Sequence, residues 1–262
     1  MEILTSKVSG FEMDYFCFGT GKKTFVILPG LSLKSVMLSA QVIAGAHKMF
    51  RDDFTVYVFD RRKDIPDGYS VRDMAADTAA VMKEIGIVKA DVFGASQGGM
   101  MAQYLAIDYP ELVHSIVLGS TCSRLNGIAQ DNIAKWISLA EKCDVKALNH
   151  DFFEKLYSDA FCEKYADALA FLENEGTPEE CRKFALLAKA CQNYETYGEL
   201  EKIKCPVLVL GAKNDKVLTG EASEEMAEKL DCEIYMYEEY GHAAYDEAPD
   251  YKDRIMRFFK SI

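Results

Sequence analysis

The chain has 262 residues, 49% of them hydrophobic and 27% charged, which is enough apolar side chain for one large domain or two small ones. Thirty Lys and Arg against 42 Asp and Glu leave a formal charge of −12, and phosphate backbones and anionic lipid repel such a surface. No run approaches 18 consecutive apolar residues, and Met1–Lys7 lacks a basic segment followed by an apolar one, so neither a membrane span nor a secretory signal is expected.

In chain order, Val8 to Phe18 alternates apolar and polar residues, and Gly19-Thr20-Gly21-Lys22 then predicts a hairpin turn and an antiparallel start to a sheet. That turn is not a P-loop, which would need Gly at Phe16 and Ser or Thr at Lys23. Phe25–Leu28, Thr55–Phe59, Asp91–Phe93 and Ser115–Leu118 are β-branched or aromatic runs bounded by turn residues, as buried parallel strands are. Between them, Val71, Met74, Ala75, Thr78, Val81, Met82 and Ile85 keep helical spacing up to Gly86. Gln97 to Tyr109 forms a second helical segment, stopped by Pro110. Strands alternating with helices predict an α/β fold: a mostly parallel central sheet with helices on both faces.

From Cys122 to about Leu200 the strand signal disappears. Apolar residues at helical spacing, with 9 basic and 14 acidic residues, predict a helical insert with no cationic face. Strands return at Pro206–Leu210 and Glu233–Tyr237, and a helix from Tyr251 closes the chain. The expected organisation is therefore a core over 1–121 and 201–262, interrupted by a helical insert over 122–200. The eight cysteines include no C-x-x-C pair, and a chain with a full core does not need disulfides, so reduced cysteines and a cytoplasmic location are expected.

The sharpest motif is Gly94-Ala95-Ser96-Gln97-Gly98-Gly99, between a strand and a helix. In that context G-x-S-x-G is a nucleophile elbow: the glycines relieve clashes, the turn lifts Ser96 Oγ clear of the sheet, and the Gln97 N–H points toward a developing oxyanion. The plainer reading is a glycine-rich connection with a capping serine. A serine nucleophile needs a base. Of four histidines, His47, His114 and His150 read as surface or packing residues. His242 follows the last strand, where loops meet at the edge that carries Ser96. Asp215 follows the preceding strand and is the expected partner of His242, with Asp246 as competitor; otherwise Asp215 is a turn aspartate.

On these residues the chain resembles the capped α/β hydrolases, a group that includes enol-lactonases, carboxylesterases, C–C bond hydrolases and cofactor-free haloperoxidases. Further matches are Leu28-Pro29-Gly30, Asp60-Arg61-Arg62, Tyr109-Pro110-Glu111-Leu112-Val113 and Cys205–Gly211. The resemblance implies Ser96 as nucleophile, His242 as general base then acid, Asp215 as its orienter, and an oxyanion hole from the backbone N–H groups of Leu31 and Gln97. Many relatives have His-Gly where this chain has Pro29-Gly30. Ser32 is a candidate third donor or, instead, a helix N-cap for Lys34 onward. The resemblance makes the insert a cap, in which about half of Trp136, Phe152, Phe153, Tyr157 and Phe161 reach a pocket, with Met100 near the elbow. Lys63–Ser70 replaces a shorter loop at the entrance.

The expected function is a serine hydrolase acting on an ester, lactone or thioester of a small apolar acid. The same triad serves C–C hydrolysis and cofactor-free perhydrolysis, and a ligand receptor on this fold is the alternative from another class. The reading calls for a small-molecule partner, no cofactor, no metal, no nucleic acid and no membrane, and it is compatible with a homodimer.

Overall fold

A computed structural model of the protein describes residues 1–8 and 10–262. Eight strands form one sheet: β1 (Leu4–Val8), β2 (Phe11–Phe18), β3 (Lys23–Leu28), β4 (Phe54–Arg62), β5 (Ala90–Ala95), β6 (Val113–Gly119), β7 (Val207–Ala212) and β8 (Glu233–Tyr237). Their order is β1-β2-β4-β3-β5-β6-β7-β8. β1 and β2 are antiparallel to their neighbours, and every other pairing is parallel. β5 is buried along its whole length, as a strand covered on both faces must be.

The helices are α1 (Ala40–Ala46), α2 (Val71–Glu84), α3 (Gln97–Asp108), α4 (Gly127–Glu141), α5 (Val145–Leu156), α6 (Asp159–Lys164), α7 (Ala166–Leu172), α8 (Pro178–Gln192), α9 (Gly220–Leu230), α10 (Ala244–Glu247) and α11 (Tyr251–Ser261). Local chemistry sets several starts. The Ser70 hydroxyl accepts from Asp73 N–H while the Asp73 carboxylate accepts from Ser70 N–H, a capping box that opens α2. Thr177 and Glu180 do the same for α8, with Pro178 in its first turn, where no donor is missed.

The sheet separates two apolar layers. On one side Val26, Val92 and Ile116 meet Met74, Val81, Leu105 and Met226 of α2, α3 and α9. On the other Phe25 packs edge-on against Phe259 of α11, with ring centroids 5.1 Å apart, and beside Phe50 at 4.9 Å. Helices α4 to α8 all fall between β6 and β7, so the chain leaves the sheet there and returns to the neighbouring strand. The eight cysteines are free thiols, and the sulfurs of Cys143 and Cys181 lie 2.7 Å apart.

The amino-terminal turn differs from expectation. β1 and β2 reverse directly between Val8 and Phe11, which face each other across the ladder. Gly19–Lys22 is not a hairpin turn, because β2 pairs with β4 and β3 lies on the far side of β4. The glycines serve close packing instead. A Cβ on Gly21 would fall 1.9 Å from the Asp53 carbonyl carbon, and one on Gly19 2.3 Å from Phe54 O.

His47 ends α1 and is a packing residue: it is 9% exposed and its Nδ1 lies 2.9 Å from Ile43 O. Burial pulls its pKa from 6.5 down to about 4. The folded protein therefore binds that proton only near pH 4, whereas the unfolded chain binds it near 6.5. The stabilisation is complete above pH 6.5 and is lost as pH falls toward 4, by up to roughly 3 kcal/mol. Urea denaturation of a His47→Gln variant should show a shallower loss of stability over that range than the parent.

Candidate active site

Ser96 joins β5 to α3 with φ 52° and ψ −120°, a backbone region that an L-residue enters only under constraint. Its N–H donates to Gly119 O at 2.9 Å, and its carbonyl accepts from Thr121 Oγ1 at 2.8 Å and from the Gly99 and Met100 N–H groups. The glycines around it are demanded by contact. A Cβ on Gly94 would lie 2.3 Å from Gly98 O, one on Gly98 1.9 Å from Leu28 O, and one on Gly99 2.6 Å from Thr121 Cγ2. The helix thus begins against the end of β3. The loop after β3 lies across the serine, because a Cβ on Gly30 would sit 3.2 Å from Ser96 Cβ.

His242, in the loop after β8, is 1% exposed, and its Nδ1 lies 2.8 Å from Asp215 Oδ2. Asp215, after β7, is held in turn: its Oδ1 accepts from Val217 N–H at 2.7 Å and Leu218 N–H at 2.9 Å. A carboxylate can only accept, so the imidazole proton sits on Nδ1 and Nε2 is left as the basic nitrogen. The histidine loop is also tied to the insert, since Ala243 N–H donates to Leu156 O at 2.7 Å. Asp246, the competing carboxylate, is exposed and makes no bond to His242.

Ser96 and His242 line one cavity of about 30 Å³ together with Gly30, Leu31 and Gln97. Its other walls are Met100, Ile133, Trp136, Phe152, Leu156, Cys191, Val217, Leu218 and Tyr245. The space holds about one water-sized molecule and is mostly apolar. Gln97 carries the first N–H of α3, where the helix dipole is positive. Its side chain is fully engaged. Oε1 accepts from Arg61 Nη2 at 3.1 Å, and Nε2 donates to Leu187 O at 2.8 Å and meets Cys191 Sγ at 3.1 Å.

Other expected residues fall elsewhere. Ser32 donates to Lys34 O at 2.8 Å and lines a separate groove. The cap of the following 3-10 turn, Val36–Ser39, is Ser35, which accepts from Met37 N–H. Of the five aromatic residues expected near a pocket, Trp136 and Phe152 reach it. Tyr157 and Phe161 instead stack on each other, with centroids 4.2 Å apart. His114 pairs with Asp91 at 2.8 Å, but both stand near the starts of β5 and β6, at the edge opposite Ser96. His150 pairs with Glu173 on the insert. Sequence reasoning placed Leu156 in the helical pattern of the insert without assigning it to the pocket, and left Val217, Leu218 and Tyr245 unassigned, since they are loop or helix-end residues with no periodic signal pointing inward. Among the described residues no group of three or more His, Cys, Asp or Glu side chains could hold a metal ion, and no helix is long and apolar enough to cross a membrane.

The model of the Alpha/beta hydrolase family matches residues 25–251, so the chain belongs to that family and is an α/β hydrolase. It is similar to 3-oxoadipate enol-lactonase 2 of Acinetobacter baylyi, 22% identical over 223 residues that cover 83% of this chain and 81% of that one. Among solved structures it is similar to MGS-M2, an alpha/beta hydrolase enzyme from a Medee basin deep-sea metagenome library. The TM-score is 0.86 at 20% identity, covering 99% of this chain and 97% of that one. A thermophilic esterase from Thermogutta terrifontis superposes with a TM-score of 0.83 at 19% identity, covering 100% and 99%.

The backbone of Ser96 is the strained element of this site. Replacing Ser96 with glycine should raise the unfolding free energy by about 1 kcal/mol, strain relief exceeding the added entropy of the unfolded chain. Ser96→Ala, which keeps the strain, should leave it near the parent value. Urea denaturation of the three proteins measures this.

Proposed function

We propose that the protein is a serine hydrolase that cleaves an ester, lactone or thioester of a small apolar acid through an acyl-enzyme. The observation that carries this reading is the convergence on one apolar cavity of an elbow serine and a buried histidine whose Nδ1 is held by Asp215.

In this mechanism Ser96 Oγ attacks the acyl carbon while its proton passes to His242 Nε2. The carbonyl oxygen becomes an oxyanion facing the N–H groups of Gln97 and Leu31. Collapse breaks the bond to the leaving group, which takes the proton from Nε2. Water then gives a proton to Nε2 and attacks the acyl carbon, and the second collapse returns that proton to Ser96 as the free acid departs. Asp215 keeps the ring in one tautomer and balances the imidazolium formed in each half-reaction.

The cavity argues for a short acyl group. Its volume holds about one water-sized group beside Ser96, so a longer chain requires the insert to move. The wall residue best placed to set this limit is Phe152, which meets Trp136 edge-on with centroids 4.8 Å apart.

A series of p-nitrophenyl esters from acetate to octanoate tests the proposal. The parent should turn over acetate and propionate best. Ser96→Ala and His242→Ala should each lose at least about 1,000-fold in kcat, and Asp215→Asn about 100-fold or more, with the fold intact by circular dichroism. Phe152→Ala should move the optimum toward longer chains. Full turnover by Ser96→Ala would overturn the reading.

A further inference from the structure

Arg61 has no role in the chemistry above, yet it is buried beside it. The residue is 8% exposed and stands next to last in β4. It forms no ion pair among the described residues, and its Nε has no hydrogen-bond partner. Asp60, the adjacent carboxylate, is occupied elsewhere: it accepts from the Arg61 backbone N–H at 2.7 Å and from the Ser35 hydroxyl. The other cations lining the neighbouring groove of about 510 Å³ are paired, Lys34 with Glu175, Arg62 with Asp77, Lys63 with Asp14 and Lys183 with Glu179. Burying a guanidinium without a bonded carboxylate destabilises a fold, so a contribution to stability does not account for this one.

What Arg61 does touch is specific. One nitrogen, Nη2, donates to Pro29 O at 2.7 Å and to Gln97 Oε1 at 3.1 Å. Pro29 opens the loop that carries the Leu31 N–H, and Gln97 supplies the other proposed donor. The two halves of the oxyanion hole come from different elements whose backbones touch where Gly98 meets Leu28 O, but no backbone hydrogen bond joins the loop after β3 to α3 among the described residues. Gln97 is anchored on its far side by α8 through Leu187 O and Cys191 Sγ. We propose that Arg61 is a positioning residue for the oxyanion hole, a single guanidinium clamp that fixes the loop after β3 against the first residue of α3. The proposal rests on the serine-hydrolase reading.

A donor aimed where charge develops contributes to the transition state and little to ground-state binding. Arg61→Met should therefore lower kcat for p-nitrophenyl acetate about 10- to 100-fold while KM stays within about twofold. Affinity for a short-chain trifluoromethyl ketone, whose adduct with Ser96 carries the oxyanion, should fall by a similar factor, and inhibition by the matching methyl ketone should not change. Arg61→Lys should recover part of the loss, and Arg61→Met combined with Gln97→Leu should cost less than the product of the single effects. Arg61→Gln supplies the same comparison where the methionine variant does not fold. A folded variant with parental kcat and trifluoromethyl ketone affinity overturns the clamp, and so does equal loss of affinity for both ketones. A parent that neither turns over the ester nor binds the trifluoromethyl ketone instead overturns the hydrolase reading, and the clamp with it.

Discussion

Everything at the candidate site depends on one backbone-to-backbone approach. The first turn of α3 sits so close to the end of β3 that a single methyl group on Gly98 would overlap Leu28 O. Because that carbon is absent, the loop after β3 lies across the elbow, and Gly30 and Leu31 share a cavity with Ser96. Gly94 and Gly99 extend the same condition to the helix behind the strand and to Thr121 beside it. The strain at Ser96 is the local cost of this arrangement, and the hydrogen bonds from Ser96 N–H to Gly119 O and from the Thr121 hydroxyl to Ser96 O hold it in place.

Much of this was legible in the sequence because it follows from parallel-sheet topology. Ser96, Asp215 and His242 each follow a strand, and in a parallel sheet strand ends share an edge, so residues 146 positions apart converge. The same rule separates His114 and Asp91, a bonded pair that resembles part of a triad but stands at the opposite edge. Short apolar runs located the central strands, and β8 spans the residues its pattern marked.

What was not legible depends on contacts between distant segments. Gly19 and Gly21 carry a turn composition but fit against the backbone of Arg51–Phe54, which no local pattern reveals. Aromatic spacing in the insert identifies helices without showing which ring faces the core. Trp136 and Phe152 turn toward Ser96, while Tyr157 and Phe161 spend their area on each other. Arg61 carried no signal beyond its place in a motif, because its significance lies in bonds to residues 32 and 36 positions away.

The central claim is that Ser96 is an activated nucleophile, and active-site labelling tests it most directly. Intact mass after exposure to a small alkyl fluorophosphonate, measured on the parent and on the Ser96→Ala and His242→Ala variants, separates the outcomes. The account predicts one adduct on the parent, none on Ser96→Ala, and labelling slowed at least about 100-fold on His242→Ala. Unlabelled, well-folded parent protein, or an adduct that persists in Ser96→Ala, would contradict it.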